Sequence, residues 1–325
     1  MPYYPQGPQE SPKKQAPKGL ILFRRFLLCL SVLLIAYGIC RLAGYGIDWA
    51  FSRLTTRELR ESAQATEPAA VPAPETAAAA AATPVPTAAP SPGPTAVPAV
   101  APAKAAPRLS DELPAVSYPN GLQVNPRIRN LRKKSQYIIG WLTMDGLDEP
   151  VAQKDNDFFL DHDATGRRNV NGSLFLDEDT RLMTRPYTFF IYGHNMKTGA
   201  MFGSLHKYEQ TAYCNKHRFI QFDTLYEEGQ YAIFAVATIR LTPGTAGYLS
   251  LSDLQSTRRK ARQKALNTLS ALSVYSNILD VNEEDQLLLL ITCVGDDNQR
   301  LVVAARRLRE NESPDRLTMR TRSGF

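Results

Sequence analysis

The spacing of hydrophobic positions changes three times along this chain. Phe26 to Cys40 (FLLCLSVLLIAYGIC) is an uncharged apolar run, and the sequence stays mostly apolar to Ile47. That gives about twenty residues, roughly the length needed to cross a bilayer as a helix. From Thr66 to Pro107 the large apolar side chains disappear, and Ala, Pro, Thr, Val and Ser fill almost every position. After Ser117 the pattern becomes a series of short runs: Tyr137–Met144, Gly172–Leu176, Tyr187–Tyr192, Phe219–Phe222, Gln230–Arg240, Gln286–Cys293 and Arg300–Arg306. Each is β-branched, aromatic or leucine-rich and bounded by Gly, Asp, Asn or Pro, which predicts strands. Many short strands point to a closed barrel or sandwich. Two segments break the pattern. Asn125–Ser135 reads as a short helix with Pro at an early position. In Ser252–Leu272, Leu254, Ala261, Ala265, Leu269 and Leu272 recur at helical spacing behind a Ser252-x-x-Gln255 capping box. A helix is therefore expected between the strands at 230–240 and 286–293.

Composition sharpens this division. Of the 23 prolines, 12 fall between Pro68 and Pro114, alongside six consecutive alanines at 77–82. Such a stretch cannot offset the entropy of ordering, and its proline content favours extended chain with a rise of about 3.1 Å per residue. It is expected to act as a semi-rigid stalk. The net charge is +6, of which residues 1–25 contribute +4. Basic residues ahead of an apolar span orient it with the N-terminus in the cytoplasm and the rest outside. A cleaved signal peptide is the competing reading of the span, and no small-x-small cleavage site follows it. Residues 117–325 carry 27 basic and 24 acidic side chains, so no nucleic-acid partner is expected. The expected organisation is a basic tail over 1–25, an anchor over 26–47, a linker over 48–115, a catalytic domain over 116–310 and a polar tail over 311–325.

Candidate chemistry is confined to few residues. Cys214 and Cys293 lie outside the apolar span; a disulfide between them is one alternative, and burial of Cys293 as a small hydrophobe is another. If Gln286–Cys293 and Arg300–Arg306 form a hairpin around Val294–Gln299, Cys293 and Arg300 oppose each other with side chains on one face. A guanidinium beside a thiol favours the thiolate and can stabilise an oxyanion on a substrate carbonyl. The alternative for Arg300 is a solvated strand start. A nucleophilic cysteine also needs a proton donor for its leaving group. His194, where an apolar strand meets a Gly-containing turn, is the candidate, whereas His162, His206 and His217 read as surface groups. Asn195 is not expected to orient its neighbour, because adjacent strand residues point to opposite faces. No zinc-ligand spacing or Gly-rich phosphate loop is found, so no cofactor or metal is implied. Arg258, Arg259, Lys260, Arg262 and Lys264 form a basic cluster read first as a solvated helix face, and second as a contact for anionic headgroups or polymers. Asp296 and Asp297 read as turn residues.

The segments from Ile191-Tyr-Gly-His-Asn to Ser204-Leu205, Leu290-Ile-Thr-Cys293 and Arg300-Leu-Val-Val303 resemble the signature blocks of class B sortases. The resemblance extends through Ile139–Leu142, Glu149–Gln153, Asp155–Leu160 and Gly172–Asp177 and covers residues 125–308. It implies a mostly β fold with flanking helices: a closed eight-stranded barrel with a helix inserted before the cysteine strand, preceded by a transmembrane helix. It also implies a cysteine transpeptidase. Cys293 would attack the carbonyl before the scissile bond of a C-terminal sorting signal, and an amine, such as a cell-wall precursor cross-bridge, would resolve the thioacyl-enzyme. His194 would exchange protons with the leaving and incoming amines, Arg300 would hold the oxyanion, and Thr292 would line the substrate pocket. Partners would be surface proteins carrying sorting signals, at the membrane of a Gram-positive cell. The Cys-to-Arg loop is shorter than the family pattern.

Overall fold

The computed structural model describes residues 18–65, 110–119, 121–275, 279–295, 298–314 and 317. Residues 1–17 of the basic tail, the Ala/Pro-rich segment 66–109, Asp296, Asp297 and the end of the C-terminal tail lie outside the described residues. The chain divides into two units, Met1–Thr55 and Thr56–Phe325.

The first unit is, among the described residues, the greater part of helix α1 (Lys18–Gln64). Leu22–Gly44 is the stretch of 23 residues apolar enough to cross a membrane, with mean hydropathy 2.2 and none of its residues buried. At 1.5 Å per residue it would extend about 34 Å, sufficient for a hydrocarbon core. The window starts four residues before the expected 26–47.

The second unit is a barrel. Its strands are β1 (Ile138–Met144), β2 (Leu147–Ala152), β3 (Leu174–Leu176), β4 (Thr188–Tyr192), β5 (Phe219–Thr224), β6 (Gln230–Arg240), β7 (Leu287–Cys293) and β8 (Gln299–Arg307). They close in the order β1-β2-β3-β4-β7-β8-β6-β5, with β1 pairing back onto β5. Residue spacing identified seven of the eight. The eighth, β2, hides in Leu-Asp-Glu-Pro-Val-Ala because its middle is polar and contains a proline. Pro150 is tolerated since β2 is paired there only with Trp141 of β1, and its pairing to β3 begins at Val151. The turn before it is Asp145-Gly146, with Gly146 at φ +73°. Asp-Gly between apolar residues is a strong hairpin signal, and it was legible.

The unbroken apolar run of β7 follows from burial on both faces. Leu288 and Leu290 enter the barrel core, while Leu287, Leu289 and Ile291 pack outside it in a second cluster with Leu254, Leu266 and Leu269. That outer cluster lies under the helices inserted between β6 and β7. They are two, not one: α4 (Leu251–Gln255) and α5 (Arg259–Leu272), separated by Ser256–Arg258 (α2, Pro126–Lys134, and α3, Thr211–Lys216, precede them). The cap of α4 is Ser250, whose hydroxyl accepts from Asp253 N at 3.2 Å, rather than Ser252. The break is held by the incoming chain. Leu113 N donates to Thr257 O and Arg259 N donates to Asp111 O, each at 2.7 Å.

The basic cluster on this insertion is divided: Arg258, Lys260 and Lys264 are exposed, whereas Arg259 and Arg262 are engaged with the protein. Arg262 is fully buried and donates to the carbonyls of Leu254, Tyr187, Asp285 and Glu283 and to the Thr188 hydroxyl. Desolvation lowers its pKa to about 10. Arg259 pairs with Glu283 at 3.1 Å and Glu284 at 2.6 Å. The expected solvated face was wrong for these two, because Arg262 satisfies several backbone carbonyls at a helix-to-barrel junction and Arg259 is held by two carboxylates.

The linker boundaries also differ from expectation. Residues 48–64 are helical, and Leu59 and Ala63 are buried in a cluster with Ile128, Leu131, Ile138 and Phe159. At its far end the expected linker is already packed by Leu113, 6% exposed. The C-terminal tail likewise contributes Glu312, which accepts from Arg306 at 2.6 and 2.7 Å.

Candidate active site

Cys293 ends β7 and Arg300 opens β8, and the two are register partners across the hairpin. Strand alternation places Cys293 on the face of Ile291 and Arg300 on that of Val302, both members of the outer cluster. The thiol therefore points outward, away from the barrel core, and is exposed. All four cysteines are free thiols, so the Cys214–Cys293 disulfide is not formed. Cys214 lies on α3, 1% exposed in the barrel core, and burial pushes its thiol up to about 11. Of the two thiols outside the apolar span, the one with the buried-hydrophobe character is Cys214.

His194 follows β4, which runs parallel to β7 with Tyr192 beside Ile291. Its turn is closed by Phe202 N donating to His194 O at 3.0 Å and by an Asn195–Met201 bridge. Met201 adopts φ +50°, a left-handed conformation in a non-glycine residue, and its 7%-exposed side chain is held in the core. The ring Nε2 lies 2.6 Å from Leu160 O. A carbonyl oxygen only accepts, so Nε2 carries hydrogen and Nδ1 is the ring atom left to gain or lose a proton.

Leu160 belongs to a short 3₁₀ turn, Phe158–Leu160, anchored by fully buried Phe159. Gly172 passes beneath it at φ +59°. A Cβ there would lie 2.4 Å from Phe159 O and 3.0 Å from His194 Cδ2. Gly172 thus permits the turn and the imidazole to approach, a role that the sequence signalled only as a strand boundary. The other histidines take local partners: His162 contacts Asp161 at 2.7 Å and stacks on Phe158, His217 contacts Asp145 at 3.1 Å, and His206 contacts Gly203 O at 2.8 Å. They are fixed in place rather than simply solvated.

A cleft of about 410 Å³ brings together His194, Cys293, Arg300 and Thr292, with Leu160, Leu241, Leu251 and Ile291 as apolar walls and Tyr192 and Asn156 at its edge. Tyr192 donates to Asp177 at 3.2 Å, and desolvation with that carboxylate raises its phenol above the usual range. Size alone would not find this place. A groove of about 880 Å³ runs between residues 112–122 and 179–187 but holds no cysteine or histidine. Thr292 is 2% exposed, and its hydroxyl donates to Gly193 O at 2.7 Å. Arg300 Nη1 donates to Gln299 O at 2.9 Å. Among the described residues no group of three or more His, Cys, Asp or Glu is placed to hold a metal ion. A largely apolar cleft lined by a thiol, an imidazole and a guanidinium suits acyl transfer from a peptide.

Comparison with known proteins points the same way. Residues 144–308 match the family model of the sortase domain. Sortase B of Listeria monocytogenes is 30% identical over 177 residues, covering 53% of this chain and 68% of the relative. Sortase B of Staphylococcus aureus is 28% identical over 189 residues, covering 56% and 75%. Among solved structures, a Bacillus anthracis protein similar to sortase B aligns with a TM-score of 0.51 at 30% identity, over 60% of this chain and 88% of that one. A Staphylococcus aureus sortase B–substrate complex aligns with a TM-score of 0.50 at 25% identity, over 58% and 87%.

Proposed function

Because the chain belongs to the sortase family of cysteine transpeptidases, in its B class, we propose that Cys293, His194 and Arg300 carry that chemistry here. The Sγ of Cys293 attacks the carbonyl carbon before the scissile bond of a C-terminal sorting signal. Arg300 stabilises the oxyanion that forms. As the C–N bond breaks, His194 Nδ1 gives its proton to the leaving amine, leaving an acyl group on sulfur. An incoming amine then attacks the thioester, His194 takes its proton, the C–S bond breaks and the thiolate is restored. Nε2 stays bonded to Leu160 O throughout. The observation carrying this reading is the register pairing of Cys293 with Arg300 in the lining of the cleft that also contains His194.

The substrate is a surface protein bearing such a signal, and the acceptor is the amine of a cell-wall precursor. The Leu22–Gly44 span serves as a single-pass anchor, with the basic tail in the cytoplasm and the barrel outside, at the surface of a Gram-positive cell. Incubation with a library of sorting-signal peptides, followed by mass spectrometry, tests the chemistry. An acyl adduct is expected on Cys293, discharged to product by hydroxylamine as the added amine. Cys293→Ala should abolish product, by at least about a thousandfold. Retained turnover in that variant would end the assignment. A product unchanged by the amine would mean that water resolves the adduct and that the protein is a protease.

A further inference from the structure

The backbone ladder between β4 and β7 stops just short of the reacting groups. Its pairs run from Thr188–Leu287 to Tyr192–Ile291, and the final backbone bond is Gly193 N to Ile291 O at 3.2 Å. Beyond it β7 continues to Cys293 while the neighbouring chain turns through His194. Two side chains cross the gap in opposite directions. Thr292 Oγ1 donates to Gly193 O at 2.7 Å, and Asn195 Nδ2 donates to Cys293 O at 2.9 Å. We propose that Thr292 and Asn195 are positioning residues that extend the ladder by side chain and so set the separation of imidazole and thiol. This rests on the catalytic assignment of Cys293 and His194.

The geometry makes each bond specific. The Gly193 carbonyl belongs to the peptide plane leading into His194, so fixing it orients the histidine backbone. The Cys293 carbonyl belongs to the plane leaving the nucleophile, at the point where the hairpin loop begins. Without the two bonds, both planes could rock independently, and acyl transfer is sensitive to displacements of about 1 Å. The Thr292 hydroxyl is buried and committed to Gly193 O, which makes it a brace first and a pocket lining second. Asn195 does not serve its neighbour's ring; it acts on the opposite strand.

The test uses full-length protein and the peptide that yields the Cys293 adduct, with hydroxylamine as acceptor. Asn195→Ala and Thr292→Val should each lower kcat about tenfold or more with KM within about twofold. Thr292→Ser keeps the hydroxyl and should restore most of the loss. Asn195 is exposed, so its variant should unfold at the same temperature as the parent. A rise in KM at constant kcat would make these residues substrate contacts and overturn the proposal, as would an unchanged kcat or a serine variant no better than valine. Cys293→Ala in the same assay separates the two levels. If it is inactive while Asn195→Ala and Thr292→Val are normal, only the positioning role falls; if it is active, both readings fall.

A different observation concerns the Ala/Pro-rich segment 66–109. The chain enters it from the docked end of α1, where Leu59 and Ala63 are buried, Thr56 donates to Glu149 at 2.9 Å and Lys134 to Glu58 at 2.9 Å. It leaves at Asp111–Leu113, hydrogen-bonded to Thr257 and Arg259. Both ends are held by the same unit. We infer that this segment is an excursion from the barrel unit, and that residues 56–64 of α1 rather than the prolines join the barrel to the anchor. Cutting an engineered protease site within 66–109 in an N-terminally tagged full chain should leave the catalytic fragment co-purifying with the tag in mild detergent. Adding Leu59→Asp and Ala63→Asp should release it. Release of the unsubstituted chain on cleavage would restore the stalk.

Discussion

The two ends of the β7–β8 hairpin place the same residue type in opposite circumstances. Arg300 and Arg306 lie six residues apart on β8 and so on one face. Arg306, opposite Leu287, is fully buried, and its guanidinium donates to Asp280 O and to both oxygens of Glu312. Next to it Arg307 and Arg185 share Glu227, at 2.8 and 2.9 Å. That end is a charge network closed upon itself. At the other end Arg300 borders a cleft beside an exposed thiol. Arg306, its donors met by fixed carboxylates and carbonyls, serves folding; Arg300, opposite Cys293 at the cleft, is the one proposed to serve chemistry.

Substitution at the two positions should separate these roles most strongly. Arg300→Ala should lower kcat/KM about 10²–10³-fold, the range for loss of one oxyanion donor, with thermal unfolding little changed. Arg306→Ala leaves carboxylates without their cation and should cost about 3 kcal/mol in denaturant titration, with normal activity per folded molecule. Equal destabilisation by both would break the comparison.

Glycines give a second, smaller contrast. Gly172 and Gly146 both have positive φ, but only Gly172 has neighbours within 4 Å of a notional Cβ, His194 among them. Alanine at either should cost about 1 kcal/mol of stability from backbone conformation, and more at Gly172, where the added Cβ meets Phe159 O. Only Gly172→Ala should also impair turnover, as steady-state kinetics on the two variants would show.

The charged end also predicts a pH dependence. The hydrogen bonds from Arg306 hold the Glu312 carboxyl below the usual carboxylate range. A depressed folded-state pKa contributes stability that is fully present above the unfolded pKa of about 4.3. It is lost as pH falls through that value toward the folded one. Glu312→Gln should therefore flatten the acid side of the stability profile measured by thermal melts, while leaving stability differences between pH 6 and 8 unchanged. The smallest effect is expected at Cys214. With its thiol pushed up to about 11, alkylation at pH 8 followed by peptide mapping should label Cys293 far ahead of it. Cys214→Ala should keep its activity.

Much of this is legible in the order of residues alone. Opposition of Cys293 and Arg300 follows from two apolar strands and a short connection, because hairpin register is a local property. The strand pattern of β7, the insertion preceding it and the capped helix opening at Asn125, whose Oδ1 accepts from Arg127 N at 2.9 Å, are equally local. What escapes a reading by spacing is whatever depends on a distant partner. Arg262 has the pattern of a surface charge, yet acceptors from other segments surround it. Residues 48–64 have the look of linker because the side chains that bury Leu59 and Ala63 lie beyond residue 127.

The sequence by itself determined the length of the apolar span, the strand periodicities, the proline-rich interruption and the family blocks that contain Cys293 and His194. Each depends on residues close together in the chain, where backbone geometry leaves few options. The tertiary structure alone decided that Leu160 O fixes the tautomer of His194, that Gly172 opens space beneath it, and that Asn195 reaches across to Cys293. It also decided that the proline-rich segment begins and ends on one unit. Those are contacts between segments far apart in the chain, and local spacing carries no information about which distant carbonyl or side chain the closing of the barrel will bring alongside.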